Sequence, residues 1–337
     1  MRCRGCGLVF RNQAGGQEQV RGGFEVIYGN PQDEQWVQER RHPLYEEFLA
    51  RYRPLPGGNR LLDVGCGSGK FLRLARAANW DVMGTEIAEA AVQAARAAGL
   101  SVRLGSLPAA DLPESSFDVL TLWNVLDFIP DPLEHVRAAR RLLVPGGLLV
   151  ARVSNLTFQS AVYRASRRLR PWPRLAAPLA KQRFISQVGF NARSLRCTLE
   201  RAGFERIEIT NSPPSYGDPY RTLPRGGDTA LQAVKRLVYG AAWMMAACSG
   251  GQVLWGSSLL TTAQKPNISP QSAQRPQRAT LFQKIRETRL SRIFQTLSRN
   301  FTFEDRKYWG VLCVLCVLCG SNAMSGVKGG GPVARGD

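Results

Sequence analysis

The chain has 337 residues and carries 45 Lys and Arg against 26 Asp and Glu, a formal charge of +19. Hydrophobic residues make up 44% of it, which excludes a wholly disordered chain, and the length suits one large or two small domains. The charge favours anionic partners, whether nucleic acid, phosphorylated small molecules or an anionic membrane surface, and does not choose among them.

Residues 1–12 form a compact segment rich in Cys and Gly, and residues 13–43 are polar and Gln-rich and read as a linker. Leu44 to Tyr52 carries apolar and aromatic residues at helical spacing. After Pro54-Leu-Pro-Gly-Gly58 a regular alternation begins. Strands are predicted at Arg60–Val64, Trp80–Thr85, Ser101–Leu104, Phe117–Trp123, Leu148–Val153, Phe204–Thr210 and Ser257–Ala263. Helices are predicted at Lys70–Ala78, Ala88–Ala98, Leu133–Leu143 and Ser194–Ala202, with Gly99 and Gly203 as C-terminal caps. Pro145-Gly146-Gly147 is read as the stop of the third of these helices. Strand and helix alternating at this pace predict parallel strands with right-handed crossovers. No stretch reaches the roughly 20 apolar residues of a membrane span. The nearest, Leu237–Cys248, is too short.

Asp63-Val64-Gly65-Cys66-Gly67-Ser68-Gly69 lies between the first strand and the first helix of this alternation. Glycines there allow a tight turn and a close approach of ligand to backbone. Glu86 ends the second strand, where a carboxylate can accept hydrogen bonds from both hydroxyls of a ribose. The glycines run Gly-x-Gly-x-Gly, one residue tighter than the dinucleotide fingerprint. A nicotinamide-dependent oxidoreductase on the same fold is therefore the weaker enzymatic reading. Asp63 stands two residues before the first glycine, where an acid can orient the loop and face the cationic end of an amino-acid ligand.

Asp63 to Gly69, Glu86, Phe117-Asp118 and Leu143-Val-Pro-Gly-Gly147 resemble, in order and position, the signature series of class I S-adenosylmethionine-dependent methyltransferases. The resemblance covers roughly residues 44–265. It implies an α/β, Rossmann-like, seven-stranded and mostly parallel sheet with helices on both faces and an antiparallel last strand. It implies that Gly65, Gly67 and Gly69 line the methionine part of S-adenosyl-L-methionine, that Glu86 holds the ribose and that Ile87 packs on the adenine. Ser106 and Leu107 would sit by the adenine amine. Trp123 and Asn124 would border the methyl group and the acceptor, with Asp127 following as a further catalytic candidate. Many relatives carry an acid where Ser106 stands and a Glu-His pair where this chain reads Asp127-Phe128. A His-containing segment before the sixth strand appears here as Ser186-Gln-Val-Gly-Phe190. These departures remove the His general base of the quinone-type O-methyltransferases and leave the cofactor site intact.

Only two histidines are present. His135 is placed behind the site, on the helix after the fourth strand. His42 precedes the domain, near a helix that often lids the cofactor. Trp123 has a second reading as a core residue ending a strand, and Asp127 as a solvated residue at a helix start.

Cys3-Arg-Gly-Cys6-Gly-Leu-Val-Phe10 resembles the second knuckle of the zinc ribbon that precedes some methyltransferases of this group. A structural zinc takes four ligands, so Cys3 and Cys6 form half a site. The expectation is a shortened or mis-assigned start and a structural zinc if the N-terminus is extended. Cys66, Cys197 and Cys248 show no disulfide spacing, and Arg2 and Arg4 are followed by only a brief apolar patch. A reducing cytoplasm is expected, with the inner membrane surface as an alternative site of action. Cys313, Cys316 and Cys319 fall in residues 266–337, a low-complexity tail expected to be disordered.

From His135 through Leu199 there is no acid at all, while Arg164, Arg167, Arg168, Arg170, Arg174, Lys181 and Arg183 crowd a basic insert over 154–193 with Trp172. Between strands five and six, such an insert hangs over the C-terminal edge of the sheet, where α/β ligands bind. Its arginines suit an anionic small-molecule, glycan or lipid-linked acceptor. With the apolar Val238–Ala247 it suits an anionic membrane surface. Two readings stand beside methyl transfer: a nucleic-acid-binding protein, for which no recognised motif is present, and a cofactor-binding scaffold without activity.

Overall fold

The computed structural model describes residues 1–10, 16–29, 44–53, 58–168, 171, 187–212 and 228–267. All of them belong to one compact unit, Met1–Ser269. His42, Trp172, the basic residues Arg170, Arg174, Lys181 and Arg183, and Cys313, Cys316 and Cys319 lie outside the described residues, as does the tail from 268 onward.

The described elements, in chain order, are β1 (Val9–Phe10), α1 (Gly16–Tyr28), α2 (residues 44–51), β2 (Arg60–Val64), α3 (Lys70–Ala77), β3 (Asp81–Glu86), α4 (Glu89–Ala97) and β4 (Val102–Leu104). There follow β5 (Phe117–Trp123), α5 (Pro132–Leu142), β6 (Leu143–Ser154), α6 (Leu156–Arg168), β7 (Val188–Gly189), α7 (Ala192–Arg201), β8 (Glu205–Asn211), α8 (Asp228–Cys248) and β9 (Ser258–Gln264). The main sheet has the order β4-β3-β2-β5-β6-β9-β8. Its pairs from β4 through β6 are parallel, and β9 runs antiparallel to both β6 and β8. This is the seven-stranded, Rossmann-like architecture expected, with the antiparallel last strand.

The central strands are buried on both faces, so they read as apolar runs without alternation. Leu61, Leu62, Leu120, Leu122 and Leu149 are fully buried. The chain runs from β2 outward through β3 to β4, then returns to β5 and continues the other way. The order therefore reverses between β2 and β5, and a crevice opens at the carboxyl ends of those two strands.

Two segments depart from the expected layout. The linker of residues 13–43 contains a helix, α1, and its apolar Val20, Phe24, Ile27 and Tyr28 repeat at helical spacing. The Pro-Gly-Gly segment does not follow a helix into a loop. It lies inside β6, as a bulge between the pairs Phe117↔Leu143 and Val119↔Leu148, with Gly146 at φ 74. α5 ends one residue earlier than expected because Leu143 is already extended and paired.

The Cys-Gly segment is not isolated. Its β1 pairs antiparallel with β7, Val9 opposite Gly189 and Phe10 opposite Val188. β7 leads into α7, whose start is fixed by a capping box. Asn191 Oδ1 accepts from Ser194 N–H at 2.8 Å, and Ser194 Oγ accepts from Asn191 N–H at 2.9 Å.

α4 has no side-chain cap from its own N-cap residue, Ala88. Two glutamates from elsewhere serve instead. Glu86 Oε1 accepts from Ile87 and Ala88 N–H at 2.7 and 3.0 Å. Glu25 of α1 accepts from Glu89 and Ala90 N–H at 2.6 and 3.2 Å. Carboxylates are favoured at this positive end of a helix.

Among the described residues, no helix is long and apolar enough to cross a membrane. α8 does carry an uncovered apolar face. Leu237 is 69% exposed, Met244 39% and Met245 40%, and Ala241 and Cys248 are exposed on the same helical repeat. The loop that follows exposes Val253 and Trp255. Asn155, which precedes α6, donates through Nδ2 to Leu254 and Gly256 carbonyls of that loop. The exposed Tyr163, Arg164, Arg167 and Arg168 of α6 thus lie within a few helical turns of it.

Candidate active site

The crevice at the β2/β5 reversal is an open cleft with about 890 Å³ of empty space, part of it continuous with solvent. Its floor is Val64 and Gly65 after β2, Thr85 to Ile87 at the end of β3, and Trp123 to Val125 at the end of β5. One wall is Gly105, Ser106 and Leu107. The roof is α1, through Val20, Phe24, Ile27 and Tyr28. Sequence reasoning missed this roof, although the spacing of its four apolar residues was the signal.

Gly65, Gly67 and Gly69 all adopt positive φ, at 68, 56 and 82, a region that favours glycine. Gly65 lines the cleft. Tyr28 lies over Gly67, with its Oη 2.5 Å from where a Cβ would stand. Gly69 packs on Leu100 and starts α3. A turn of this kind brings bare backbone to a ligand, and side chains at these three positions would collide with Val125, Tyr28 and Leu100.

Glu86 lies at the end of β3, 5% exposed, and lines the cleft. Its Oε2 accepts from Gly67 N–H at 2.9 Å. One side chain thus ties the glycine turn to the start of α4. A carboxylate offers about four lone-pair sites, and three are taken by Gly67, Ile87 and Ala88 N–H, so Oε2 keeps room for about one hydroxyl donor in the cleft. Burial pushes the Glu86 carboxyl above its ordinary range, while the N–H donors of Ala88, Gly67 and Ile87 oppose the shift. If the ionised form accepts from one hydroxyl of a diol, ligand affinity is greatest above this raised value and is lost as pH falls through it. The stability of the free protein has the opposite sign: with the folded value raised, the Glu86 contribution favours folding on acidification. Calorimetric titration of cofactor across pH 4 to 8 is expected to show affinity falling before the ordinary carboxylate range is reached, about pH 4.3.

Asp63 is buried below the turn and does not face the cleft. Its Oδ1 accepts from Thr121 Oγ1 at 2.6 Å, bracing β2 against β5. Trp123 ends β5 and is 3% exposed. It is held edge-on by Tyr45, Phe48 and Phe71, with ring centroids at 5.5, 5.6 and 5.4 Å. Its Nε1 is buried without a hydrogen-bond partner, and the residue lines the cleft. It is therefore both a core residue and a wall of the site. Asn124 has φ 58 and accepts through Oδ1 from Arg152 Nη1 at 2.5 Å. Arg152 Nε in turn donates to Ser212 Oγ at 2.8 Å. Asp127 is 1% exposed. It is not a solvated residue, and its Oδ2 accepts from Ser154 N–H at 2.9 Å, joining the loop after β5 to the end of β6. It lies outside the cleft lining.

His135 was placed behind the site by its position on the helix. Instead it forms part of the cleft wall, because α5 packs against the 3-10 turn Leu107–Ala109.

Cys3 and Cys6 are free thiols. No group of three or more His, Cys, Asp or Glu side chains able to hold a metal exists among the described residues. Two thiols do not fit the four-ligand tetrahedral site of a structural zinc.

A family model described as a methyltransferase domain matches residues 37–209, just over half of the chain, and the chain belongs to that family. It is 30% identical over 177 residues to the ubiquinone biosynthesis O-methyltransferase of Bordetella avium, covering 50% of this chain and 73% of that protein. It is 30% identical over 176 residues to the protein of the same name from Methylococcus capsulatus, covering 49% and 73%. In fold it is similar to a chain from the complex of a Haloferax volcanii methyltransferase activator with a methyltransferase. The TM-score is 0.50 and the identity 18%, over 73% of this chain and 97% of that one. The choice between two cofactors that the glycine spacing opened therefore falls to S-adenosylmethionine, and the chain is a methyltransferase.

Proposed function

We propose that this methyltransferase acts on an anionic oxygen of an amphipathic, lipid-linked acceptor. The observation that carries the cofactor part is Glu86, a buried carboxylate with spare acceptor capacity, beside a glycine turn and opening on the cleft. In this reading Glu86 takes one hydroxyl of the ribose diol, Ile87 and Leu107 hold the adenine, Ser106 lies at its edge, and the Gly65–Gly69 turn takes the methionine part. Asp63 positions the turn from below. Trp123 offers its indole face to the sulfonium end, and Asn124 borders the acceptor with Arg152 holding its amide. Asp127 acts as a positioning residue for the loop after β5.

The bound cofactor supplies a methyl group on a good leaving group. The protein's task is alignment behind the methyl carbon and exclusion of water, which the roof of α1 and the aromatic cluster around Trp123 support. As the new O–C bond forms, the C–S bond breaks and its electron pair stays on sulfur. An oxygen that is already anionic has no proton to lose, so this reaction requires no general base. Asp127-Phe128 stands where the quinone-type enzymes carry Glu-His, and an ionised acceptor suits that difference. The relatives' name, ubiquinone biosynthesis O-methyltransferase, favours a lipid-linked substrate. So do the uncovered apolar face of α8, the exposed Trp255 and the exposed arginines of α6, a combination that suits an anionic membrane surface.

The test is incubation with methyl-tritiated S-adenosylmethionine and a membrane extract partitioned into lipid and aqueous phases. Label is expected in the lipid phase. Label confined to the aqueous phase overturns the acceptor, and no label from protein that binds the cofactor overturns the transfer itself.

A further inference from the structure

His135 lies in the first turn of α5 with 7% of its surface exposed. Its imidazole shares a cleft wall with Ser106 and Leu107. Nδ1 lies 3.1 Å from the Asp131 carbonyl oxygen. A carbonyl oxygen can only accept, so Nδ1 carries the ring proton. Burial lowers the readiness of the ring to take a second proton, against the pull of the Asp131 carbonyl and the charges of Glu134 and Asp131. The ring is then neutral near pH 7, and Nε2 is a lone-pair acceptor. Among the described residues it has no protein partner.

The position of this acceptor decides what it can read. Glu86 and Ser106 lie at the ends of neighbouring parallel strands, with Glu86 opposite Leu104 in the ladder. A nucleoside whose ribose meets Glu86, and whose base lies between Ile87 and Leu107, turns the edge of the base away from the sugar toward the turn after β4 and the start of α5. In adenine that edge carries the exocyclic amine, a donor that needs an acceptor. Ser106 brings only a hydroxyl to that wall.

The geometry points to His135 as the residue that reads the purine: its Nε2 accepts from the adenine amine and repels a 6-oxo group at the same place. This rests on the reading of the cleft as the S-adenosylmethionine site and deepens it. His135 is a binding residue for the cofactor's base, with no part in moving the methyl group.

The full chain is titrated calorimetrically with S-adenosylhomocysteine and with its 6-oxo counterpart, S-inosylhomocysteine. The intact protein is expected to prefer the adenine form by at least about tenfold, the scale set by one well-placed buried hydrogen bond. His135→Leu removes the acceptor and is expected to weaken the adenine form about tenfold, bringing the two ligands close to parity. His135→Gln gives a second arm. A primary amide can turn either its oxygen or its nitrogen to the ligand, so this variant is expected to keep the adenine form and gain affinity for the 6-oxo form. Circular dichroism confirms that each variant is folded. A folded Leu or Gln variant with the original preference overturns the assignment while leaving the cofactor site standing. Failure of the intact protein to bind either ligand overturns both.

Discussion

Replacing Glu86 by alanine raises the dissociation constant for S-adenosylmethionine by about 10- to 100-fold. One hydroxyl donor to an ionised, buried carboxylate is worth about 1.5–3 kcal/mol, and about 1.4 kcal/mol is tenfold in affinity. The side chain also holds Gly67, Ile87 and Ala88 N–H, so its loss loosens the glycine turn and the start of α4 together. Glu86→Gln keeps one acceptor oxygen at the same place and is expected to cost nearer tenfold. Calorimetry on folded protein measures both, with a melting curve to separate loss of affinity from loss of fold. An unchanged constant in the alanine variant contradicts the cofactor site as assigned.

Gly65→Ala is expected to cost about 3 kcal/mol of folding stability, from two independent sources. The backbone at φ 68 penalises a side chain by about 1–2 kcal/mol. The new Cβ would stand 2.6 Å from Val125 Cγ2, and overpacking of this kind costs about 1–3 kcal/mol. Urea unfolding measures the total. Combining it with Val125→Ala isolates the parts: the pair is expected to regain the packing share and to retain the backbone share. A single-variant loss under about 0.5 kcal/mol, the size of an ordinary surface change, contradicts the strained turn.

Much of the site was legible because its physics is local. The apolar run Arg60–Val64, the glycines after it and Glu86 one strand later are close in sequence, and the sheet brings them together without further information. α1 was not legible as part of the domain. Gly22 and Gly23 lower its helix propensity, its polar residues suggest a tether, and it is held by a contact 64 residues away, Glu25 on the amide of Glu89. His135 was misplaced for a related reason. Its position on α5 is local, but the wall it faces depends on how α5 crosses the turn after β4. The pairing of Val9 and Phe10 with Gly189 and Val188 is likewise long-range. Pro145-Gly146-Gly147 was found as a motif and assigned the wrong local structure, because a bulge inside a strand and a stop after a helix use the same residues.

The start of α4 is held by an acid from the floor and an acid from the ceiling, and this affects how the protein can be cut. A chain trimmed to begin at residue 44, the boundary its periodicity suggests, would keep every motif of the family. It would lose its ceiling and half of the cap on α4 in one step, leaving the amides of Glu89 and Ala90 to water. Such a fragment would fold around an unroofed trough, open to water on the side where α1 lies.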